Sequence, residues 1–209
     1  QLLKATDPDE RKTALEELQK AQQADFERVL TPMDGLPVTV RLLDAPLHEF
    51  LEENEEQNPM LGLRGIRLAI ATEDLYRTQT RALIGAVQER ILQGGNPKVE
   101  IMVPLVSLEG ELTLVLKWIS EELKNSPIPV PVGTMVETPR AALIAGDLAK
   151  HIDFISFGTN DLTQMTFGFS RDDVEVSVIN EYIEKELLEK SPFETLDIGG
   201  VGQLVTTAI

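Results

Sequence analysis

Short, almost wholly apolar runs alternate in this chain with longer amphipathic stretches, and that alternation restricts its fold more than any other feature. Residues 99–106, 128–136 and 153–157 are apolar nearly throughout, as expected of strands covered on both faces. Residues 36–43 form a β-branched, strand-like run, and 65–71 are apolar enough to read as a further strand. Helices are expected between them. Asp7 can cap a helix that has Pro8 in its first turn and Glu10 completing a capping box, with Leu15, Leu18, Phe26 and Val29 on one face. Further helices fit 73–93, 108–125 and 139–149; a polar loop starts at Gly158, a helical stretch follows over 178–190, and another opens at Gly202. Residues 50–59 read as an acidic linker. Strands alternating with helices define a parallel α/β architecture.

Composition removes several function classes. The chain has 209 residues, no cysteine and two histidines, so disulfides and thiolate metal sites are excluded and a His-rich site is disfavoured. Its net charge of −16 argues against nucleic acid as a partner. Against that field, an anionic ligand needs a few well-placed arginines. No apolar run is long enough to span a membrane and no signal-peptide pattern opens the chain, so a cytoplasmic protein without a membrane partner is expected.

The polar residues gather where strands should end. Arg41 closes the first strand, Arg64 and Arg67 bracket the second, Glu137 closes the fourth, and Asn160 and Asp161 follow the fifth. Parallel α/β folds bind ligands at the carboxyl ends of their strands. If the last two strands are neighbours, Glu137 and Asp161 can converge on one cation, and two carboxylates suit Mg²⁺ or Mn²⁺. The plainer reading makes Glu137 a helix cap before Pro139 and Asn160-Asp161 a turn followed by a cap.

Longer motifs sharpen the choice. Val132-Gly133-Thr134-Met135-Val136-Glu137-Thr138-Pro139-Arg140 and Ser156-Phe157-Gly158-Thr159-Asn160-Asp161-Leu162-Thr163-Gln164 resemble motifs of the phosphoenolpyruvate-utilising enzymes. The continuation Met165-Thr166-Phe167-Gly168-Phe169-Ser170-Arg171-Asp172-Asp173 resembles the dikinase members in particular. The segments 36–44, 46–50, 58–65 and 200–205 agree, so the resemblance spans nearly the whole chain.

The resemblance implies a single fragment, 1–209, of a (β/α)₈ TIM-type barrel, about strands three to seven of eight. It implies binding of phosphoenolpyruvate and pyruvate, and phosphoryl exchange with a histidine on another domain. In dikinase members that exchange is coupled to ATP and phosphate in a homodimer. Glu137 and Asp161 would hold Mg²⁺, Arg41 and Arg64 the phosphoryl group, Gly158 and Thr159 would supply loop contacts, and Asn160 would meet a substrate oxygen. The family's proton-donating cysteine and a further phosphate-binding arginine are expected outside this sequence, so no residue here is assigned as the catalytic acid. His48 and His151 are expected to be non-catalytic, Arg67 and Arg140 to pair with loop carboxylates, Trp118 and Phe154 to be core, and Arg171-Asp172-Asp173 to form an ion cluster. The chain departs from the family at Leu63, where a histidine is usual, and in a shorter 50–58 link. Alternatives are the synthase or sugar-transport members of the family, a Mg²⁺-dependent aldolase or lyase of a related barrel, and a non-catalytic barrel remnant.

Overall fold

The computed structural model describes residues 7–45 and 58–209. Among these, four strands form one parallel sheet: β1 (Pro37–Arg41), β2 (Lys98–Val103), β3 (Val132–Val136) and β4 (Ile155–Phe157). They lie side by side in chain order, with Arg41 beside Met102, Val103 beside Thr134 and Val136 beside Phe157. A doubly wound sheet reverses its strand order at a switch point, whereas a barrel does not. The monotonic order therefore gives a curled half-barrel, and the carboxyl ends of all four strands open on the same side.

The helices are α1 (Pro8–Leu30), α2 (Gly65–Ala71), α3 (Asp74–Leu92), α4 (Glu109–Leu123), α5 (Pro139–Leu143), α6 (Ala145–Leu148), α7 (Thr159–Phe167), α8 (Arg171–Ser177), α9 (Ile179–Glu184) and α10 (Val201–Ala208). Asp7 caps α1, its carboxylate accepting from the backbone N–H groups of Asp9 at 2.8 Å and Glu10 at 3.3 Å. Helix α1 packs along α3, and α3 along α4. Tyr76, Leu83, Ile101, Val103, Leu112, Ile119 and Trp118 belong to the buried core that joins helices to sheet.

Several expectations need correction. Residues 65–71 form α2 and not a strand, so β1 pairs directly with β2 and the expected five strands become four among the described residues. Ile66, Leu68 and Ala69 are buried while Arg67 and Ile70 turn outward, a three-residue spacing that so short an apolar run does not declare by composition. Strand β3 begins at Val132 and not at 128, because Pro127, Pro129 and Pro131 cannot donate to a ladder. The polar loop after Gly158 is helix α7, ended by Gly168 in the left-handed region at φ 67°. Residues 139–149 divide at Ile144 into α5 and α6, and the expected 178–190 helix is the shorter α9, preceded by α8. Most of the acidic linker, the 46–50 motif and His48 lie outside the described residues.

Candidate functional site

Each strand hands one group to the open end of the sheet. Beyond β1 lies Asp44. Tyr76 Oη donates to the Leu43 carbonyl at 2.9 Å, and Gln79 Oε1 accepts from the Leu43 N–H at 3.0 Å, fixing the chain just before it. Beyond β2, Leu105 takes the left-handed region at φ 60° and is fully buried. This conformation is costly for a non-glycine residue, and here it aims the Leu105 N–H at Glu137 Oε1, 2.5 Å away. Beyond β3 comes Glu137. Thr138 takes the capping role for α5, its hydroxyl accepting from the Ala141 N–H at 3.1 Å. Glu137 is therefore not the cap, and its carboxylate lies 1% exposed at the sheet end. Beyond β4, Asp161 sits in the first turn of α7.

Carboxylate oxygens of Asp44, Glu137 and Asp161 all lie within 4.8 Å of one another. Among the described residues, this is the group of acidic side chains suited to a metal ion. Arg64, 4% exposed, lies between two of them. Its Nε and Nη2 donate to the Asp44 carboxylate at 3.0 and 2.7 Å, and its Nη1 and Nη2 to Asp161 at 3.1 and 3.2 Å. Burial works against the charge on Arg64, but the two carboxylates outweigh it and hold the guanidinium more firmly protonated than usual. Among the described residues, Glu137 has no such ion-pair partner. Burial first, and Asp44 and Asp161 after it, push its carboxyl up to about 8, against the opposing pull of the Leu105 N–H and of Arg64.

Two glycines let the backbone close around these groups. A Cβ on Gly158 would lie 2.5 Å from Glu137 Oε2. A Cβ on Gly65 would lie 2.8 Å from Asp44 Oδ1 and from Leu105 Cβ, at a φ of +54° that disfavours any side chain.

The arrangement brings Glu137 and Asp161 together, sets Gly158 against Glu137, and adds Asp44, to which the sequence alone gives no role. Asp44 stands just past the end of a strand, within the 36–44 motif, so the strand-end rule that selects Arg41 could also select it. Leu105 carries no sequence signal, since its contribution is backbone. Thr159 and Asn160 are exposed in the first turn of α7, where N–H groups lack intrahelical acceptors and favour anions. Arg41 is exposed at the end of β1, with no carboxylate partner among the described residues.

The residues expected to be structural keep that character, with different partners. Arg67 donates to the carbonyls of Leu61 and Gly62, and Arg140 to that of Ser107, so both bind backbone and not carboxylates. His151 pairs with Glu109 at 2.7 Å, away from the carboxylate cluster. Trp118 is buried and Phe154 half-buried. Arg171 pairs with Glu175 at 3.1 Å and lies over the Phe193 ring, so the expected cluster with Asp172 and Asp173 is replaced by an i,i+4 pair within α8.

A parallel half-barrel with three carboxylates and an arginine at the carboxyl ends of its strands is consistent with part of a barrel-class domain, whose ligands bind at that end. The model of the PEP-binding domain of PEP-utilising enzymes matches residues 6–208, and the chain belongs to that family. Similar curated proteins include the chloroplastic pyruvate, phosphate dikinase of Mesembryanthemum crystallinum, 42% identical over 240 aligned positions that take in 99% of this chain and 25% of that protein. The chloroplastic pyruvate, phosphate dikinase 1 of Arabidopsis thaliana is 43% identical over the same shares. Pyruvate, phosphate dikinase 2 of Oryza sativa subsp. japonica is 41% identical over the whole chain and 27% of its own length. The chain thus spans about a quarter of the length of these relatives. No helix among the described residues is long and apolar enough to cross a membrane. The chloroplastic names of two of these relatives do not fit a plain cytoplasmic expectation.

Proposed function

We propose that this chain is a single fragment of a (β/α)₈-type barrel that binds phosphoenolpyruvate and pyruvate in a pyruvate, phosphate dikinase-like phosphotransferase. One family match running from 6 to 208 supports a single unit. The observation that carries the reading is the meeting of Asp44, Glu137 and Asp161 at the carboxyl ends of the sheet, in a chain of the PEP-binding family.

The donor set fits Mg²⁺. All three clustered groups are carboxylates, hard oxygen donors, and the chain has no cysteine to favour a softer metal. Glu137 and Asp161 would hold the ion, with Asp44 beside them. When bound, Mg²⁺ supplies positive charge that stabilises an enolate and leaves coordination positions for substrate oxygens.

The remaining work falls to the chain's own residues. Arg41, exposed at the same end of the sheet, presents a guanidinium fork to the phosphoryl oxygens. The first turn of α7 offers N–H groups to a carboxylate or phosphoryl oxygen, Thr159 and the Asn160 side chain lie at that end, and Gly158 leaves room beside Glu137. Phosphoryl transfer to or from a histidine on another domain then rests on positioning and charge neutralisation. The histidine domain and a homodimer are part of the same reading and rest on the family resemblance alone.

The test is calorimetric titration of phosphoenolpyruvate into the chain with and without Mg²⁺. Binding should need Mg²⁺ and be lost in Glu137→Gln and Asp161→Asn. Equal binding without Mg²⁺, or in both variants, would overturn the assignment.

A further inference from the structure

Arg64 invites assignment as a phosphoryl ligand, being an arginine at the ligand-binding end of the sheet. Its surroundings point elsewhere. Four hydrogen bonds to two carboxylates use its Nε and both Nη atoms: Asp44 takes two at 3.0 and 2.7 Å, and Asp161 takes two at 3.1 and 3.2 Å. Nη1 also points toward the Met60 carbonyl and sulfur, at 3.5 and 3.8 Å. The side chain is 5% exposed, and those of Asp44 and Asp161 are 6% and 14% exposed. A guanidinium forked to two carboxylates has no face left for a bidentate phosphoryl contact. Arg41, exposed and without a carboxylate partner among the described residues, does have one.

We propose that Arg64 is a positioning residue: its guanidinium clamps Asp44 from one edge of the sheet to Asp161 from the other, setting the carboxylate geometry that faces Glu137, and it does not contact the phosphoryl group. The inference rests on the proposed divalent-ion site and divides the arginines that the site would otherwise share. Two nearly buried carboxylates close to a third would repel one another without a cation between them. A planar fork reaches both at once, and a lysine ammonium, a point charge, does not reproduce that span.

The experiment uses the 209-residue chain and Mn²⁺, followed by electron paramagnetic resonance of the free ion. Arg64→Lys should weaken Mn²⁺ binding by roughly tenfold or more, the scale of losing a group that orients metal ligands. At saturating Mn²⁺ it should leave the ratio of phosphoenolpyruvate to oxalate affinity unchanged, because oxalate lacks the phosphoryl group. Arg41→Ala should do the opposite, sparing Mn²⁺ and lowering that ratio. Unchanged Mn²⁺ affinity in Arg64→Lys, or a selective loss of phosphoenolpyruvate against oxalate, would overturn the clamp. If the unmodified chain binds no Mn²⁺, the proposed function falls, and the clamp is judged separately in metal-free protein. There, Arg64→Lys and Asp161→Asn should shift the thermal midpoint non-additively, and additive shifts would sink it. If Arg64→Lys alone does not fold, recovery of folding in the Asp161→Asn background supports the clamp, and failure in both backgrounds counts against it.

Discussion

Asp44 and Asp161, which follow the two edge strands of the sheet, are joined through one guanidinium, that of Arg64, at 2.7 and 3.1 Å. Glu137, which follows the strand next to one edge, reaches the same place without a cationic partner of its own among the described residues. The cluster is therefore one compensated pair of carboxylates beside a third, buried one, and that asymmetry governs how the site should respond to substitution, metal and pH.

Asp161→Asn should weaken Mg²⁺ or Mn²⁺ binding by about tenfold or more, since it removes one of the charges that a hard divalent ion requires. Arg41→Ala should leave metal affinity unchanged within error and weaken phosphoenolpyruvate binding. Isothermal titrations of metal and of phosphoenolpyruvate separate the two effects. Zn²⁺ should gain no advantage over Mn²⁺, because every donor in the cluster is an oxygen.

Gly158→Ala should damage the site with little effect elsewhere. The added methyl would sit 2.5 Å from Glu137 Oε2 and 2.9 Å from Met135 Sδ, so the carboxylate must move. Overpacking of this kind costs about 1–3 kcal/mol. Gly65→Ala should be worse, combining contacts at 2.8 Å with a backbone φ of +54°. Chemical denaturation would rank the two, and equal stability of Gly65→Ala and the unmodified chain would contradict the packing described here.

Much of the site is legible in the sequence, and the failures have physical causes. Glu137 and Asp161 can be picked out because strand ends in a parallel sheet are where ligands bind, and β3 and β4 are indeed neighbours. Residues 65–71 read as a strand because a seven-residue run that is apolar apart from Arg67 fits a buried strand and a buried helix equally well; burial decides between them, and burial is a tertiary property. The turn-like residues Thr159, Asn160 and Asp161 are also first-turn residues, so a loop and a helix start compete on the same letters. Leu105 is beyond reach, because nothing in a leucine announces a left-handed backbone that donates to a glutamate.

Arg77 gives a test independent of the site. Its guanidinium meets Glu73 at 2.8 Å, just ahead of its own helix, reaches Glu121 at 2.7 Å and Glu122 at 3.2 Å on α4, and lies over the Trp118 ring. The partners are partly solvated, so the network should be worth only about 1 kcal/mol, and less in high salt. Arg77→Met, which keeps some packing on Trp118, should lower the thermal midpoint by a few degrees at low ionic strength and by less in about 1 M salt. Metal binding should be unaffected, since none of these partners belongs to the carboxylate cluster. A loss of Mn²⁺ affinity in this variant would mean that α3 and α4 transmit to the site.

The last prediction concerns Glu137 and pH in metal-free protein. Burial and the neighbouring carboxylates raise its folded value to about 8 from an ordinary 4.5. Between those limits the folded chain binds a proton there and the unfolded chain does not. Stability must then fall as pH rises through that window and level off above it, because the unfolded state binds fewer protons. The direction is opposite to that of a salt-bridged carboxylate, which loses stability on acidification. A tenfold difference in proton affinity between the folded and unfolded chain corresponds to about 1.4 kcal/mol, so the full effect is on the order of a few kcal/mol. Glu137→Gln keeps an oxygen for the Leu105 N–H and removes the charge. With a chelator present, it should match the unmodified chain near pH 5 and exceed it in thermal midpoint at pH 9. Adding Mg²⁺ should reverse the order at pH 9, since the carboxylate then has its cation and the amide does not. Parallel pH profiles for the two proteins without metal would show that Glu137 is ionised at neutral pH already, and would remove burial as the dominant influence on it.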